Sequence, residues 1–316
     1  MADIKKRVLE NAEGEFFVDS TCINCDTCRQ LAPETFADSG NTSFVKNQPE
    51  GPAATRDALR ALLACPTGSI GTLHRHPIRE TMEDFPLLIE EDVYYCGFNS
   101  PQSFGGNSYF VKRPEGNWLI DCPKFLPHLV RQFEKAGGVK IIFLTHQDDV
   151  ADAAKYAEHF KSQRIIHEED KRAQANSHEN FTLKKFALAQ LSYWTGTQTG
   201  QPDAEILIRG TAPIEPAPGF KIIPTPGHTR GHCVLLYQNK FLFTGDHLWW
   251  RRRRQQLGAS REVCWYSWKE QTRSMERLAD YSFEWVLPGH GQRMKLPRER
   301  MKTQLDFLIS GMKLEA

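Results

Sequence analysis

The first 75 residues alternate short apolar segments with polar turns. Residues 15–19 and 41–46 mix β-branched or aromatic side chains with polar ones, so both are predicted to be short strands. Residues 30–36 are predicted to form a short helix. In residues 53–64 the apolar side chains fall on one helical face, which predicts a longer helix that ends next to Cys65.

From about residue 88 onward the pattern changes to apolar strands that alternate with helices. Residues 107–112 and 117–121 are predicted to pair as strands, residues 126–136 to form an amphipathic helix, and residues 139–144 to form a buried strand. Three later segments repeat this design: residues 220–228, 240–246 and 285–291. Each apolar strand is followed at its carboxyl end by a polar side chain that can bind a metal ion.

These two patterns divide the chain into two domains. A chain of 316 residues is long enough for about two domains with sizeable cores. We predict a small domain at residues 10–75, a polar linker with two prolines at residues 76–88, and a larger domain at residues 89–316. The fold class that follows is α+β.

The composition is that of an ordinary globular protein. Hydrophobic residues make up 40% and charged residues 25% of the chain, and the net charge of +1 gives no general attraction to nucleic acid or membranes. The N-terminus lacks an apolar signal segment, and no stretch approaches the roughly 18 apolar residues of a membrane helix. We expect a soluble protein of the cytoplasm, or of an organellar stroma or matrix if a transit peptide was removed.

Four cysteines carry the chemistry of the small domain. Cys22, Cys25 and Cys28 have two residues between successive thiols, and Cys65 comes later, directly before Pro66. This spacing fits the four ligands of an iron-sulfur cluster. The alternative is a four-cysteine zinc site, but structural zinc usually pairs two separate Cys-x-x-Cys motifs, whereas three of these cysteines share one loop.

The same segments, residues 22–28 and 65–70, resemble those of bacterial-type ferredoxins with a single cluster. The resemblance implies a small ferredoxin-like domain, a 4Fe-4S cluster held by the four cysteines, and an electron donor or acceptor protein as partner. The remaining cysteines lie in apolar or strand-like segments and are expected to be small buried side chains without disulfides: Cys96, Cys122, Cys233 and Cys264.

The polar strand ends of the larger domain resemble those of the metallo-β-lactamase fold, an αββα sandwich with a metal site at one edge. The motifs that carry the resemblance occur in the order of the family, at residues 119–121, 144–146, 226–232, 244–246 and 287–291. Carried over residue by residue, the resemblance implies His146, His228, Asp246 and His290 as metal ligands.

The first histidine motif departs from the family pattern, which is His-x-His-x-Asp-His. Asp148 stands at the second histidine, Val150 at the aspartate and Ala151 at the last histidine. We predict one further metal ion, iron, manganese or zinc, in a site of two histidines and two carboxylates formed by His146, Asp148, His228 and Asp246. Such an oxygen-rich site suits iron or manganese better than zinc.

Val150 cannot act as a catalytic base, so other side chains must be considered for that role. The candidates are Asp149, Asp152, His232 and His247. The alternative is that the larger domain keeps the fold but binds no metal, with His146 and His228 hydrogen-bonded to neighbouring carboxylates.

Two further features suggest contact surfaces. The four consecutive arginines at 251–254 would attract phosphate, carboxylate or an acidic protein surface, or form a solvated loop. An aromatic group is expected to lie mostly in the core, with one or two rings lining a substrate pocket: Trp249, Trp250, Trp265, Tyr266 and Trp268. Six other histidines are expected to be solvated surface groups: His74, His76, His128, His159, His167 and His178.

Three functions are compatible with these features. The fold resemblance favours a metal-dependent hydrolase for an ester or thioester, with the cluster controlling or supporting the site. The second is an oxidoreductase that passes electrons from the cluster to the larger domain, as flavodiiron proteins use a similar fold for redox chemistry, although their flavodoxin portion is not found here. The third is a redox sensor or electron carrier without catalysis.

Overall fold

The computed structural model describes residues 2–171 and 204–316. The prediction that His178 is a solvated surface group lies outside these residues. In the described part of the chain, none of the helices has the length and apolar character needed to cross a lipid bilayer.

The N-terminal domain packs four short strands and two helices around a small apolar core. Its elements are β1 (Phe16–Val18), α1 (Thr27–Leu31), β2 (Phe36–Asp38), β3 (Ser43–Val45), α2 (Gly51–Ala64) and β4 (Ile70–Thr72). β1 pairs antiparallel with β4, and β2 with β3. Phe16, Phe36 and Leu59 are buried in this core, where each side chain stabilises the fold by roughly 1.5–3 kcal/mol.

The first helix of this domain differs from the sequence-based prediction. The pattern predicts a helix at residues 30–36, whereas α1 begins at Thr27 and ends at Leu31, and residues 36–38 form β2. Asp26 precedes the helix in a left-handed conformation (φ 68°), so the cysteine loop turns directly into α1. The second predicted helix is present as α2, and Cys65 is its C-cap residue.

A seven-stranded sheet forms one layer of the larger domain. Its strands are β5 (Leu87–Glu90), β6 (Val93–Tyr95), β7 (Tyr109–Val111), β8 (Trp118–Ile120), β9 (Ile141–Phe143), β10 (Gln163–His167) and β11 (Ile206–Ile208). The spatial order is β11-β10-β9-β8-β7-β6-β5, antiparallel from β5 to β8 and parallel from β8 to β11. Helices α4 (Pro127–Lys135) and α5 (Ala153–Phe160) connect the parallel strands.

The segment predicted as a linker contains regular structure. A short helix, α3 (Arg79–Met82), lies within residues 76–88, and β5 begins at Leu87. The first sheet therefore starts before the predicted beginning of the larger domain.

A six-stranded sheet forms the second layer. Its strands are β12 (Ile214–Ala217), β13 (Phe220–Pro224), β14 (Cys233–Tyr237), β15 (Phe241–Gly245), β18 (Trp285–Pro288) and β19 (Met294–Lys295), in that spatial order. A separate hairpin, β16 (Trp249–Arg251) and β17 (Gln256–Gly258), follows β15. The last two helices are α6 (Trp268–Leu278) and α7 (Arg298–Glu315).

The side chains of β14 show how the layers are stacked. Cys233, Leu235 and Tyr237 belong to the core between the sheets, whereas Val234 and Leu236 belong to the core that contains α6 and α7. This alternation follows from the two-residue period of a strand. The central strand of this sheet is therefore buried on both faces, and the predicted αββα sandwich is confirmed.

One prediction about histidines is wrong. His167 is only 6% exposed, and its Nε2 donates a hydrogen bond to the Gly210 carbonyl at 2.9 Å. It is the last residue of β10 and pairs with Ile208 of β11, so a polar residue beside an apolar run is buried with its strand.

Candidate cluster site and metal centre

The four predicted cluster cysteines converge on one small enclosed cavity of the N-terminal domain. Cys22, Cys25 and Cys28 reach it from the loop before α1 and from α1 itself, and Cys65 reaches it from the end of α2. The rest of the lining is mostly apolar or hydroxyl-bearing: Val18, Ile23, Thr27, Ser43, Thr67, Ser69 and Ile70.

The surroundings of these sulfurs fit an iron-sulfur cluster. The Ser43 and Ser69 amides each donate a hydrogen bond at 3.4 Å, to the sulfurs of Cys22 and Cys65. Burial raises the pKa of Cys25 to about 11, so its thiolate forms readily only when a cation replaces the proton. Amide donors to sulfur and exclusion of water are the means by which proteins stabilise and tune bound clusters.

A first group of metal-competent atoms lies where β9, β13 and β15 end. The Nε2 atom of His146 is 3.8 Å from an Asp246 oxygen, and that of His228 is 3.7 Å from the same oxygen. Asp148 Oδ2 completes the group at 3.5 Å from His228 and 4.0 Å from His146. The structure thus brings together the four residues predicted for the metal site.

The neighbours of His146 leave its Nε2 free to bind a metal. The Thr145 hydroxyl donates a hydrogen bond to Asp121 Oδ2 at 3.0 Å. The same hydroxyl accepts a hydrogen bond from His146 Nδ1 at 2.9 Å. With its proton on Nδ1, the ring presents an unprotonated Nε2 to the group. Burial also lowers the pKa of His146 to about 4, so the ring is neutral at pH 7.

A second group shares Asp246 with the first and is formed by Asp149, Asp246 and His290. Asp149 is buried, and neither of its oxygens has a hydrogen-bond partner among the described residues. Gly289 leaves room here, because a Cβ at that position would lie 2.7 Å from Asp149 and 2.8 Å from Asp246. Two unpartnered carboxylate oxygens beside a glycine-made gap fit a cation.

The charges of the second group are strongly coupled. Burial disfavours the charged forms of both Asp246 and His290, but the ion pair between them at 2.7 Å and the other nearby charges together have the larger effect on their pKa values. The pKa of His290 therefore rises to about 10, while that of Asp246 falls far below its ordinary value. Burial and, after it, the Asp246 charge raise the pKa of Asp149 well above normal.

The remaining predicted bases lie elsewhere or face away from water. The Asp152 carboxylate accepts from the Phe125 amide and pairs with Lys155, both at 2.8 Å, so it is held outside the metal groups. His232 is buried behind His146, with ring centroids 5.2 Å apart, and burial lowers its pKa well below normal. His247 stacks on His232, and burial lowers its pKa to about 3.

Sequence reasoning missed Asp170, which holds two ligand-bearing loops together. Its carboxylate accepts from the Thr229 hydroxyl and the Gly231 amide, both at 2.6 Å, and from the Gln147 amide at 3.1 Å. It therefore fixes the segments that directly follow His146 and His228. The available signal was its place three residues after β10, at the same sheet edge as His146.

A loop at residues 99–107, here called the bridging loop, contacts both sites. The Asn99 side chain donates to the Thr27 hydroxyl at 3.2 Å, beside the cluster cysteines. On the other side, the Asn107 amide donates to the Gly289 carbonyl at 2.6 Å. His290 Nε2 donates to the Ser103 carbonyl at 3.2 Å.

The N-terminal domain also contacts the larger domain through α1 and the arginine run. The Gln30 side chain donates to the Gly291 carbonyl at 2.8 Å, next to His290. Arg252 lies 3.6 Å from Asp26, and Arg253 lies 3.1 Å from Asp38. Two of the four arginines predicted to attract an acidic surface thus bind carboxylates of the same chain.

Comparison with known proteins agrees with this architecture. Residues 102–290 match the sequence model of the metallo-beta-lactamase superfamily, and residues 18–72 match that of the 4Fe-4S single cluster domain of Ferredoxin I. The chain therefore belongs to the metallo-beta-lactamase superfamily and carries a 4Fe-4S ferredoxin domain at its N-terminal end, as the motifs predicted.

Solved structures show the same fold. The chain is similar to an archaeal metallo-beta-lactamase superfamily protein from Sulfolobus tokodaii, with 19% identity, a TM-score of 0.50, and coverage of 69% of this chain and 86% of that one. A metallo-beta-lactamase family protein from Thermus thermophilus gives 20% identity, a TM-score of 0.50, and coverage of 72% and 81%. No curated protein matched the sequence significantly.

Proposed function

We propose that the protein is an oxidoreductase in which the ferredoxin domain passes electrons to the metal centre of the larger domain, where a small molecule is reduced. The observation that carries this proposal is the bridging loop, which packs against the cluster segment and the His290 segment at once. Electron tunnelling slows exponentially with distance, and a single loop that contacts both sites supports electron exchange between them.

The ligand chemistry of the centre supports the proposal. The two groups together offer three histidines and three carboxylates: His146, His228, His290, Asp148, Asp149 and Asp246. Mixed imidazole and carboxylate sets of this kind suit iron or manganese. Such metals, when bound, supply one-electron chemistry that zinc does not.

The protein side chains have defined tasks in this proposal. Asp121 and Thr145 hold His146 in the tautomer that binds a metal, and Asp170 holds the two loops in register. Asp148 is the exposed edge of the centre, with a third of its side chain (33%) accessible to substrate. An electron donor protein that docks near the cluster is the partner that the proposal requires.

Hydrolysis, which the fold resemblance favours, has less support from the geometry. A metal-dependent hydrolase can use a metal-bound water as its nucleophile, and a side-chain base adds to the rate only if its pKa lies near the working pH and it reaches a water molecule. The pKa values of His232 and His247 are lowered by burial, and that of Asp149 is raised by burial. Asp152 is engaged with Lys155.

Single-turnover reoxidation tests the proposal. The holoprotein is reduced anaerobically, freed of excess reductant and mixed with dioxygen, and the cluster absorbance is followed in time. We expect the wild type to reoxidise roughly tenfold or more faster than His228→Ala, which keeps the cluster but loses a ligand of the metal centre. His159→Ala, at an exposed histidine outside the centre, is the matched control.

Two results would contradict the proposal. Equal reoxidation rates in wild type and His228→Ala would show that the cluster does not serve the centre. Cleavage of a generic thioester or phosphodiester without reductant, by both wild type and Cys65→Ser, would instead support a hydrolase.

A further inference from the structure

Only some of the side chains of the metal centre are exposed to solvent. The side chains of Asp148 and His290 are 33% and 30% exposed, whereas those of His146 and His228 are buried. A substrate must therefore approach the centre past Asp148 and His290. The side chains near this approach determine which class of substrate can bind.

Two large rings lie beside the buried ligand His228. The Trp265 and Tyr266 amides donate to the His228 carbonyl at 2.9 and 3.1 Å, and the Trp265 ring centroid lies 6.1 Å from the His228 ring. Trp265 is nevertheless 57% exposed and Tyr266 42% exposed, while Trp250 is buried as the aromatic pattern predicts. Trp265 and Tyr266 are therefore both partly exposed to solvent next to His228.

A third exposed ring lies next to the other end of the centre. Phe104 follows Ser103, whose carbonyl accepts from His290, and it is 51% exposed. Its backbone is left-handed (φ 48°), a costly conformation for a bulky residue and one that concentrates at functional sites. The bridging loop thus holds an aromatic ring at the surface instead of burying it.

A positive charge accompanies these rings. The Arg230 guanidinium lies 4.6 Å from the Tyr266 ring centroid, within the range of a cation–π contact, and two residues after His228. Within residues 2–171 and 204–316, no carboxylate lies at ion-pair distance from Arg230. Its donors can therefore bind a carboxylate, sulfonate or phosphate of a ligand.

We propose that the surface beside His228 formed by Arg230, Trp265 and Tyr266 is the substrate subsite and takes a planar aromatic anion. Flat rings stack on the indole and phenol faces, and the anionic group pairs with Arg230. The inference deepens the proposed function, since it names the class of molecule that the centre would reduce.

Titration calorimetry on the anaerobic holoprotein tests the subsite with three probes. Naphthalene-2-sulfonate carries both ring and charge, 2-naphthalenemethanol carries only the ring, and methanesulfonate carries only the charge. We expect one saturable site per chain for naphthalene-2-sulfonate, roughly tenfold weaker binding of the neutral ring, and no saturable binding of methanesulfonate.

Variants separate the two parts of the subsite. Trp265→Ala should weaken both ring-bearing probes roughly tenfold, whereas Arg230→Gln should weaken only the sulfonate. Phe307→Ala removes a ring that is 63% exposed on α7 and should change nothing. Cluster absorbance and thermal unfolding confirm that each variant is folded.

The proposal is overturned if naphthalene-2-sulfonate does not saturate, if Trp265→Ala and Arg230→Gln bind it as the wild type does, or if Phe307→Ala weakens it equally. Calorimetry requires no electron transfer, so the two proposals fail separately. If naphthalene-2-sulfonate does not bind but reoxidation is fast and depends on His228, only the subsite proposal is overturned. If the probe binds saturably but reoxidation does not depend on His228, only the oxidoreductase proposal is overturned.

Discussion

Two aspartates only three residues apart have different tasks because of what packs around them. Asp149 is buried against Asp246 and His290, and among the described residues its oxygens have no hydrogen-bond partner. Asp152 precedes α5, and its carboxylate is satisfied by the Phe125 amide and Lys155. A buried carboxylate without a hydrogen-bond partner is a candidate ligand for a cation, whereas a satisfied one contributes to local structure.

Asp149→Asn should remove the second metal position. The amide keeps the shape but loses the negative charge, so we expect the loss of one non-cluster metal per chain, or metal binding weakened by roughly 10- to 100-fold. The measurement is metal content per chain by mass spectrometry, alongside cluster iron and sulfide. Asp152→Asn is the matched control and should keep its metals; equal loss in both variants would remove Asp149 from the proposed ligand set.

At the scale of elements, the bridging loop depends on one glycine. Gly105 has φ +84°, and a Cβ there would lie 2.7 Å from Pro66 Cγ and 3.6 Å from Cys25 Cβ. Only glycine allows the loop to pack this closely against the cluster segment.

Gly105→Ala should separate the loop from the cluster segment. The left-handed backbone costs alanine about 1–2 kcal/mol, and the clash with Pro66 adds about 1–3 kcal/mol. We expect a lower free energy of unfolding and slower reoxidation of the cluster. Gly210→Ala (φ +70°) meets no described atom within 4 Å, so it reports the backbone cost alone. Equal effects of the two substitutions would contradict close packing at Gly105.

The arginine run connects the two domains through ion pairs. Arg252 and Arg253 face Asp26 and Asp38, and they also donate to the Arg29 and Asp38 carbonyls at 3.2 Å. Exposed ion pairs of this kind contribute up to about 1 kcal/mol each.

Reversing both charges, in Arg252→Glu/Arg253→Glu, should turn these attractions into repulsion. We expect faster amide hydrogen exchange in residues 22–45 and slower electron transfer to the metal centre, with the difference shrinking at high salt. Arg254→Glu changes the same charge at a neighbouring exposed residue without an ion pair in the described part of the chain. If Arg254→Glu has the same effect, the specific contacts are not responsible.

At the scale of the whole molecule, Glu90 ties the two sheets together. Its carboxylate, on β5 of the first sheet, accepts from Lys240 and Lys295 at 2.6 Å and from the Trp285 ring nitrogen at 2.7 Å, all at the second sheet. The hydrogen bond from Lys240, followed by that from Lys295, lowers the pKa of Glu90 to about 2.

This carboxylate should make the fold sensitive to acid. Because the folded pKa is below the unfolded one, the stabilisation is complete above about pH 4.5 and is lost as the pH falls toward 2. Glu90→Gln should lower the free energy of unfolding at pH 7 by about 1–2 kcal/mol and flatten its pH dependence in this window. Chemical denaturation across this range measures both, and Glu34→Gln, at a side chain that is 91% exposed, should leave the curve unchanged.

The sequence by itself determined the chemistry that depends on spacing. Cys22, Cys25 and Cys28 share a loop wherever that loop lies, so their separation alone predicted a cluster. The apolar strands also indicated that His146 and Asp246 lie at the edge of a sheet, because a strand places the residues after it at that edge. The helix at residues 30–36 was misplaced because the pattern carried no sign of the left-handed Asp26.

Only the tertiary structure decided which distant groups become neighbours. No spacing distinguishes Asp149 from Asp152, shows that Asp170 joins two loops, or brings Arg253 to Asp38 across more than 200 positions. These relations arise when two sheets close over a shared core and one domain docks on the other. Burial and charge then act between residues that chain order keeps apart, and this is the physical reason that the place of Asp149 beside the predicted ligands and the contact between the two sites had to be found in the folded protein.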